Sequence, residues 1–165
     1  MKDRCIALYV ENEVGVLAKV SGLFSAKAYN LRSLTVGTTE QEDISRMTIC
    51  TTCDDVTFEQ IKKQLNRMVE VIKVLDLTEL PIHMKELLYA KVKKISDSEK
   101  QELFRIAQVF EAKTVDIGED SVLLECTQTE RRNNELVTLL RSRFSAIEIT
   151  RGGSVAVESI SVSWN

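Results

Sequence analysis

The sequence predicts an α+β protein made of two successive βαββαβ units, each an antiparallel sheet with its helices on one face. Three observations carry this. Stretches of alternating apolar residues and stretches of helical spacing follow one another as β-α-β-β-α-β over residues 3–77. The same order returns over 85–151. The only proline of the chain, in ELPIHM at 79–84, separates the two. The expected division is a domain at 1–78, a linker at 79–84 and a second domain at 85–165, an architectural repeat of one supersecondary unit.

Each element has its own warrant. Residues 3–11 (DRCIALYVE) put Ile6, Leu8 and Val10 on one face and Cys5, Ala7 and Tyr9 on the other, as in a central strand. Over 15–28, Val16, Leu17, Val20, Leu23 and Phe24 mark one face of a helix, and Asn30 is a turn residue beyond it. Strands follow at 31–39 and 44–53, joined by EQED. Asp54 and Asp55 are suited to cap a helix whose inner face carries Phe58, Ile61, Leu65 and Met68, and VEVIKVLDL at 69–77 alternates as a strand. In the second half, KELLYAKVKKI (85–95) is a strand and Asp97 or Ser98 opens a helix with Leu103, Ala107 and Phe110 inward. KTVDIG (113–118) and VLLECTQ (122–128) form a hairpin about EDS. Residues 129–144 align Leu136, Leu140 and Phe144, AIEITR (146–151) is a last strand, and Gly152-Gly153 ends it. SVAVESISVSW is a short edge strand or tail, with Trp164 able to anchor it by packing. Both units are therefore expected to be ferredoxin-like, and each sheet has a face without helices. That face must be buried against another domain or another chain, which predicts a homo-oligomer.

Bulk properties exclude several classes. The net charge is −3, shared as −2 and −1 by the two halves, so neither half is a basic platform for nucleic acid. No apolar run approaches the ~20 residues of a membrane span, and the N-terminus has no signal-peptide pattern, so a cytoplasmic protein is expected. Cys50-Thr-Thr-Cys53 has the spacing of a redox pair or half a zinc site, but the chain has a single histidine, His83, and no second such pair. On a strand, positions 50 and 53 point to opposite faces, and Asp54 and Asp55 disfavour a thiolate, so these cysteines are expected as buried thiols. His83 lies in the linker, and Glu42–Asp43, Asp54–Asp55 and Glu119–Asp120 lie at turns or helix starts, where acids cap and solvate. Arg131 and Arg132 belong to a helix surface. No catalytic residue and no metal site is expected.

ENEVGVLAKVSGLF, at 11–24, joins a strand to a helix through the single Gly15. The first turn of a helix leaves N–H groups unpaired at its positive end, where a carboxylate is stabilised. Gly15 has no Cβ to keep a ligand from the amides of Gly15, Val16 and Leu17, and the Asn12 side-chain carbonyl can accept from an ammonium. Together these describe a site for an α-amino acid with an aliphatic side chain. The bland alternative is a tight turn that binds nothing.

Residues 12–36 (NEVGVLAKVSGLFSAKAYNLRSLTV), 44–49 (ISRMTI) and 59–74 (EQIKKQLNRMVEVIKV) resemble the ACT domain, and more narrowly the small, regulatory subunit of acetohydroxyacid synthase (acetolactate synthase). KELLYAKVK and ITRGG extend the resemblance into the second half. The resemblance implies a non-catalytic chain that activates a catalytic subunit in branched-chain amino acid biosynthesis and confers feedback inhibition by valine, or by the related leucine or isoleucine. It implies a homodimer through the ACT domains, with the effector between Asn12, Gly15, Val16 and Leu17 of one chain and Asn30 and Leu31 of the other. Thiamine diphosphate, Mg and FAD would belong to the catalytic partner, with no cofactor on this chain. Ala28, Val14 and Leu31 depart from the commoner glycine, proline or serine, and isoleucine of such proteins. The second half has no Asn-x-x-Gly at its matching junction, ISDSEKQ, and is not expected to bind an amino acid in the same way. The rival readings are an ACT-domain sensor acting on a different enzyme or a transcription regulator, a purely structural subunit, and a stand-alone enzyme.

Overall fold

The structure, a computed structural model, describes residues 1–161; Trp164 lies outside them. The chain forms two compact units. The first holds Met1–Met84 and the segment that begins at Ser154, and the second holds Lys85–Gly153.

In the first unit the order is β1 (Lys2–Glu11), α1 (Val16–Ala26), β2 (Leu31–Thr38), β3 (Ile44–Cys53), α2 (Asp55–Leu65) and β4 (Val71–Asp76). The sheet order is β2-β3-β1-β4, and every neighbouring pair is antiparallel. This is the expected α+β, ferredoxin-like arrangement. The even-numbered face of β1 carries Ile6, Leu8 and Val10, which meet Val16, Val20 and Phe24 of α1 and Phe58, Ile61 and Leu65 of α2 in one core. Helical spacing placed Leu17 on that face, but the structure leaves it exposed. It lies about 100° around the helix from Val16, outside the stripe that Val16, Val20 and Phe24 bury.

The end of α1 shows the cost of one substitution pattern. Tyr29 donates its backbone N–H to the Phe24 carbonyl (3.0 Å) and Ala28 to that of Ser25 (3.1 Å), the two bonds of a Schellman motif. The motif puts Ala28, two residues before the turn residue Asn30, in the left-handed region at φ 54. A Cβ there costs about 1–2 kcal/mol relative to the right-handed form, a penalty glycine escapes. Ala28→Gly is therefore expected to raise stability by about 1 kcal/mol, less the extra entropy of an unfolded glycine. Urea denaturation followed by circular dichroism checks this, and a loss of stability would contradict the account.

The second unit runs through the rest of β5 (Ile82–Lys93), then α3 (Asp97–Phe110), β6 (Lys113–Ile117), β7 (Ser121–Gln128), α4 (Glu130–Arg143) and β8 (Ala146–Arg151), in sheet order β6-β7-β5-β8. Ser96 caps α3 through a capping box with Glu99, and Thr129 caps α4. Leu88, Ala90 and Val92 of β5 and Val122, Leu124 and Cys126 of β7 pack beneath Leu103, Ala107, Phe110, Leu136 and Leu140.

Three differences from expectation have physical reasons. β5 begins at Ile82, so part of the expected linker is strand, and His83 is exposed on it. Residues 155–158, read as an edge strand or tail of the second half, form β9 (Val155–Glu158), which pairs with β5 and belongs to the first unit. The helix-free faces are also handled within the chain. On the first sheet, the small residues Cys5, Ala7 and Cys50 leave room for Ala156, Leu77, Ile82 and Met84 to cover them. On the second, the outward positions carry ion pairs and hydrogen bonds, Lys93 with Glu148 at 2.9 Å and Tyr89 with Glu125 at 3.1 Å, which tolerate water.

Cys50 and Cys53 lie on opposite faces of β3, in separate clusters. Cys5 faces Cys50 across the strand pair, Sγ to Sγ at 3.7 Å. The bond to Cys50 and burial push the Cys5 thiol far above its usual range, and burial raises Cys53. Arg131 pairs with Glu135 on the α4 surface, whereas Arg132 also donates to the Val109 carbonyl and stacks on Phe110.

Candidate functional site at the β1–α1 turn

β1 ends at Glu11, and the chain turns into α1 over residues 12–15. Asn12 fixes this turn to the β2–β3 connection. Its backbone N–H donates to the Asp43 carbonyl (2.8 Å), its side-chain amide to the Glu42 carbonyl (2.8 Å), and its Oδ1 accepts from the Ser45 hydroxyl (3.0 Å). The carbonyl thus uses one of two lone pairs on Ser45, leaving one for a further donor.

Gly15 is the N-cap of α1, at φ 92 and ψ −13, in the left-handed region that favours glycine. A Cβ at this position would meet nothing within 4 Å, so the glycine answers to backbone conformation and open approach rather than to crowding. No side chain caps α1 and its first turn holds no acid. The other three helices begin with capping side chains, from Asp54, Ser96 and Thr129. The Gly15 carbonyl accepts from Lys19 N–H at 3.0 Å, and Val16 N–H reaches the Glu13 carbonyl at 3.4 Å. At the second and third positions of the helix, the N–H groups of Leu17 and Ala18 precede its first intrahelical donor. Leu17 and Val14 are exposed beside this end, while Val16 is core. Lys19 is engaged by Glu70, whose hydrogen bond raises the lysine pKa and lowers that of Glu70. The turn can therefore present backbone donors to an anion, with Asn12 Oδ1 as a nearby acceptor and Leu17 and Val14 as apolar flank.

Asn30 and Leu31 stand elsewhere in the same unit. The Asn30 carbonyl accepts from the Thr51 hydroxyl, and Leu31 pairs with Thr51, which pairs with Arg4. Glu11 lies seven positions further along β1, about 23 Å away at strand spacing. Within one chain the structure does not bring the two sets of residues together. Ser45, whose hydroxyl holds Asn12 of the turn, and its neighbour Arg46, which donates to the Ala156 carbonyl on the other face, were not singled out in the sequence. A Ser-Arg pair in an alternating strand carries no signal for either role.

Comparison with known proteins defines the class first. Residues 6–73 match the profile of the acetohydroxyacid synthase small-subunit-like ACT domain. Residues 85–160 match the profile described as the small subunit of acetolactate synthase. The chain is 39% identical over 157 residues to the acetolactate synthase small subunit of Aquifex aeolicus, covering 95% of this chain and 81% of that one. It is 41% identical over 152 residues to the probable acetolactate synthase small subunit of Archaeoglobus fulgidus, covering 92% and 94%. The crystal structure of the acetolactate synthase small subunit from Thermotoga maritima superposes with a TM-score of 0.87 at 33% identity, over 98% of this chain and all of that one. The chain belongs to the acetolactate synthase small-subunit family. Among the described residues, no helix is long and apolar enough to cross a membrane, and no three His, Cys, Asp or Glu side chains gather as metal ligands.

Proposed function

We propose that this chain is the non-catalytic, regulatory subunit of acetohydroxyacid synthase, that it pairs through its first unit, and that valine or a related branched-chain amino acid binds across the pair. It acts in the cytoplasm on a catalytic chain that carries the thiamine diphosphate, Mg and FAD.

The observation that carries the effector reading is the uncapped α1 N-terminus beside an anchored Asn12. Of the turn's backbone donors, Val16 N–H reaches the Glu13 carbonyl, so Gly15, Leu17 and Ala18 take the carboxylate, and Asn12 takes the ammonium. Sheet geometry supports the two-chain arrangement. β2 is an edge strand, and its last residue, Thr38, pairs with Ser45, which pairs with Val10 near the β1–α1 turn. An antiparallel pairing of β2 with its copy brings the Leu31 end of one chain to the Thr38 end of the other. Asn30 and Leu31 of one chain then lie at the end of the partner's sheet where its α1 begins. Pairing also satisfies the open edge of β2.

The test is a reconstitution. Activity of the catalytic subunit is measured with and without this chain across a titration of valine, leucine and isoleucine, with calorimetry on this chain alone. The expected result is higher activity with the chain present and inhibition by at least one of the three. Activation without inhibition or binding would leave a purely structural subunit.

A further inference from the structure

The last described segment of the chain is held on the helix-free face of the first sheet almost wholly by polar contacts. Thr35 donates its hydroxyl to the Ser154 carbonyl (2.9 Å), and Ala156 donates its N–H to the Thr48 hydroxyl (3.4 Å). Arg46 donates to the Ala156 carbonyl (2.9 Å) and to a Glu158 carboxylate oxygen (3.0 Å), while its guanidinium stacks over Tyr9. Burial raises the Glu158 carboxyl pKa, but its own backbone N–H and Arg46 outweigh that and hold it below the usual range. The apolar contribution is small. Only the Ala156 methyl enters the cluster with Cys5 and Cys50, and Val155 and Val157 are exposed. Beside the segment runs a groove of about 460 Å³ bordered by Tyr9, Val36, Arg46, Val155 and Val157. A segment that buries one methyl, and is otherwise held by hydrogen bonds to Thr35, Thr48 and Arg46 and by its pairing with β5, can lift without opening the core of the sheet.

Arg46 is also next in sequence to Ser45, whose hydroxyl holds Asn12. Successive residues of a strand point to opposite faces. One step along β3 therefore joins the candidate effector turn on one side to the fastening of the segment on the other. A ligand that takes the free lone pair of Asn12 Oδ1 favours the Asn12 orientation that Ser45 already holds, and so favours the β3 position that Arg46 needs.

We propose that residues 154–158 form a releasable strap clasped by Arg46, and that an amino acid held at Asn12 and Gly15 favours the closed strap through Ser45. The second clause rests on the proposed effector site; the first does not. Thermodynamic reciprocity requires that breaking the clasp weaken the effector by the same factor by which the effector tightens the clasp.

Ala156 of the strap covers Cys5 and Cys50 together with Leu77, Ile82 and Met84, so a rise in their alkylation reports its opening. Cys53, on the other face, and Cys126, in the second unit, are buried internal controls. The intact protein and its Arg46→Met and Glu158→Gln variants are treated with iodoacetamide under native conditions, and each cysteine is quantified by peptide mass spectrometry. Both variants are expected to raise labelling at Cys5 and Cys50 tenfold or more with Cys53 and Cys126 unchanged. Unchanged labelling at Cys5 and Cys50 overturns the strap. A parallel rise at all four sites means general unfolding and also counts against it. In the unaltered protein, saturating valine is expected to slow labelling at Cys5 and Cys50 at least threefold. If calorimetry detects valine and labelling does not slow, the coupling fails while the effector site stands. If none of valine, leucine or isoleucine binds, the effector site and the coupling fall together, and the strap is decided by the two variants.

Discussion

Gly15→Asp is expected to lower affinity for the branched-chain effector by about a hundredfold or more and to abolish inhibition, while activation of the catalytic subunit persists. The substitution acts on both halves of the anion argument. It places a carboxylate at the helix start, where its charge competes for the N–H groups of Leu17 and Ala18, although the cap stands at φ 92 and not in the extended form from which Asp54 caps α2. The field of the donors proposed for the effector is then partly neutralised, and a fixed negative charge repels the incoming carboxylate and weakens its hydrogen bonds. Losing two hydrogen bonds to a charged group removes about 1.5–3 kcal/mol each, and each 1.4 kcal/mol is tenfold in affinity. The fold should survive. A Cβ at Gly15 meets nothing within 4 Å, and the remaining cost is that of φ +92, which Asp tolerates better than most residues. Gly15→Ala separates strain from charge, because it bears the backbone cost without filling the donors and should retain much more of the response. Calorimetry with valine and the reconstituted assay read both variants. If Gly15→Asp binds valine within threefold of the unaltered chain, the effector does not sit on this turn.

Much of the architecture was legible because each element wrote its own period. β5 alternates, β1 is apolar on both faces as a central strand is, and α2, α3 and α4 carry both apolar stripes and short polar caps. The Asn12–Gly15 junction was legible for a different reason, as a lone glycine between strand and helix with an asparagine three residues before it. What escaped depends on contacts between residues far apart in the chain. Arg46 meets Ala156 and Glu158 across more than a hundred positions, and no local pattern announces it. Small residues on the outer face of β1 and β3 were read as the core of a central strand, and only the return of Ala156 shows what they accommodate. The second half of the proposed effector site, which only the resemblance named, was illegible in the residues for a stricter reason. Asn30 and Leu31 lie at the far end of their own sheet, so neither one sequence nor one folded chain brings them to Gly15.

Asn133 is the clearest case of a buried residue hidden in a polar run, and it leads to the largest expected loss of stability. Within ERRNNE it looks like surface, yet it is fully buried in α4 and donates its side-chain amide to both the backbone carbonyl (3.3 Å) and the carboxylate (3.0 Å) of Glu86. Glu86 is itself buried, and Arg151 completes the cluster by pairing with the same carboxylate while donating to the Asn134 side chain at 2.7 Å. The three residues tie β5, α4 and β8 together where the chain enters and leaves the second unit. Arg151→Met strands a buried carboxylate with only an amide donor, a change expected to cost about 3–5 kcal/mol. Removing the carboxylate as well should recover most of this, because Glu86→Leu with Arg151→Met replaces an ion pair by apolar groups of similar size. The recovery is incomplete by the cost of leaving the Asn133 amide with one acceptor fewer, about 1–3 kcal/mol. Hydrogen exchange at the amides of β5 and β8 in the intact protein isolates the second unit from the first. Protection there should fall steeply in Arg151→Met and return toward the unaltered level in the double variant. A single variant within 0.5 kcal/mol of the unaltered protein, or a double variant as unstable as the single, would show that the cluster does not hold the unit together.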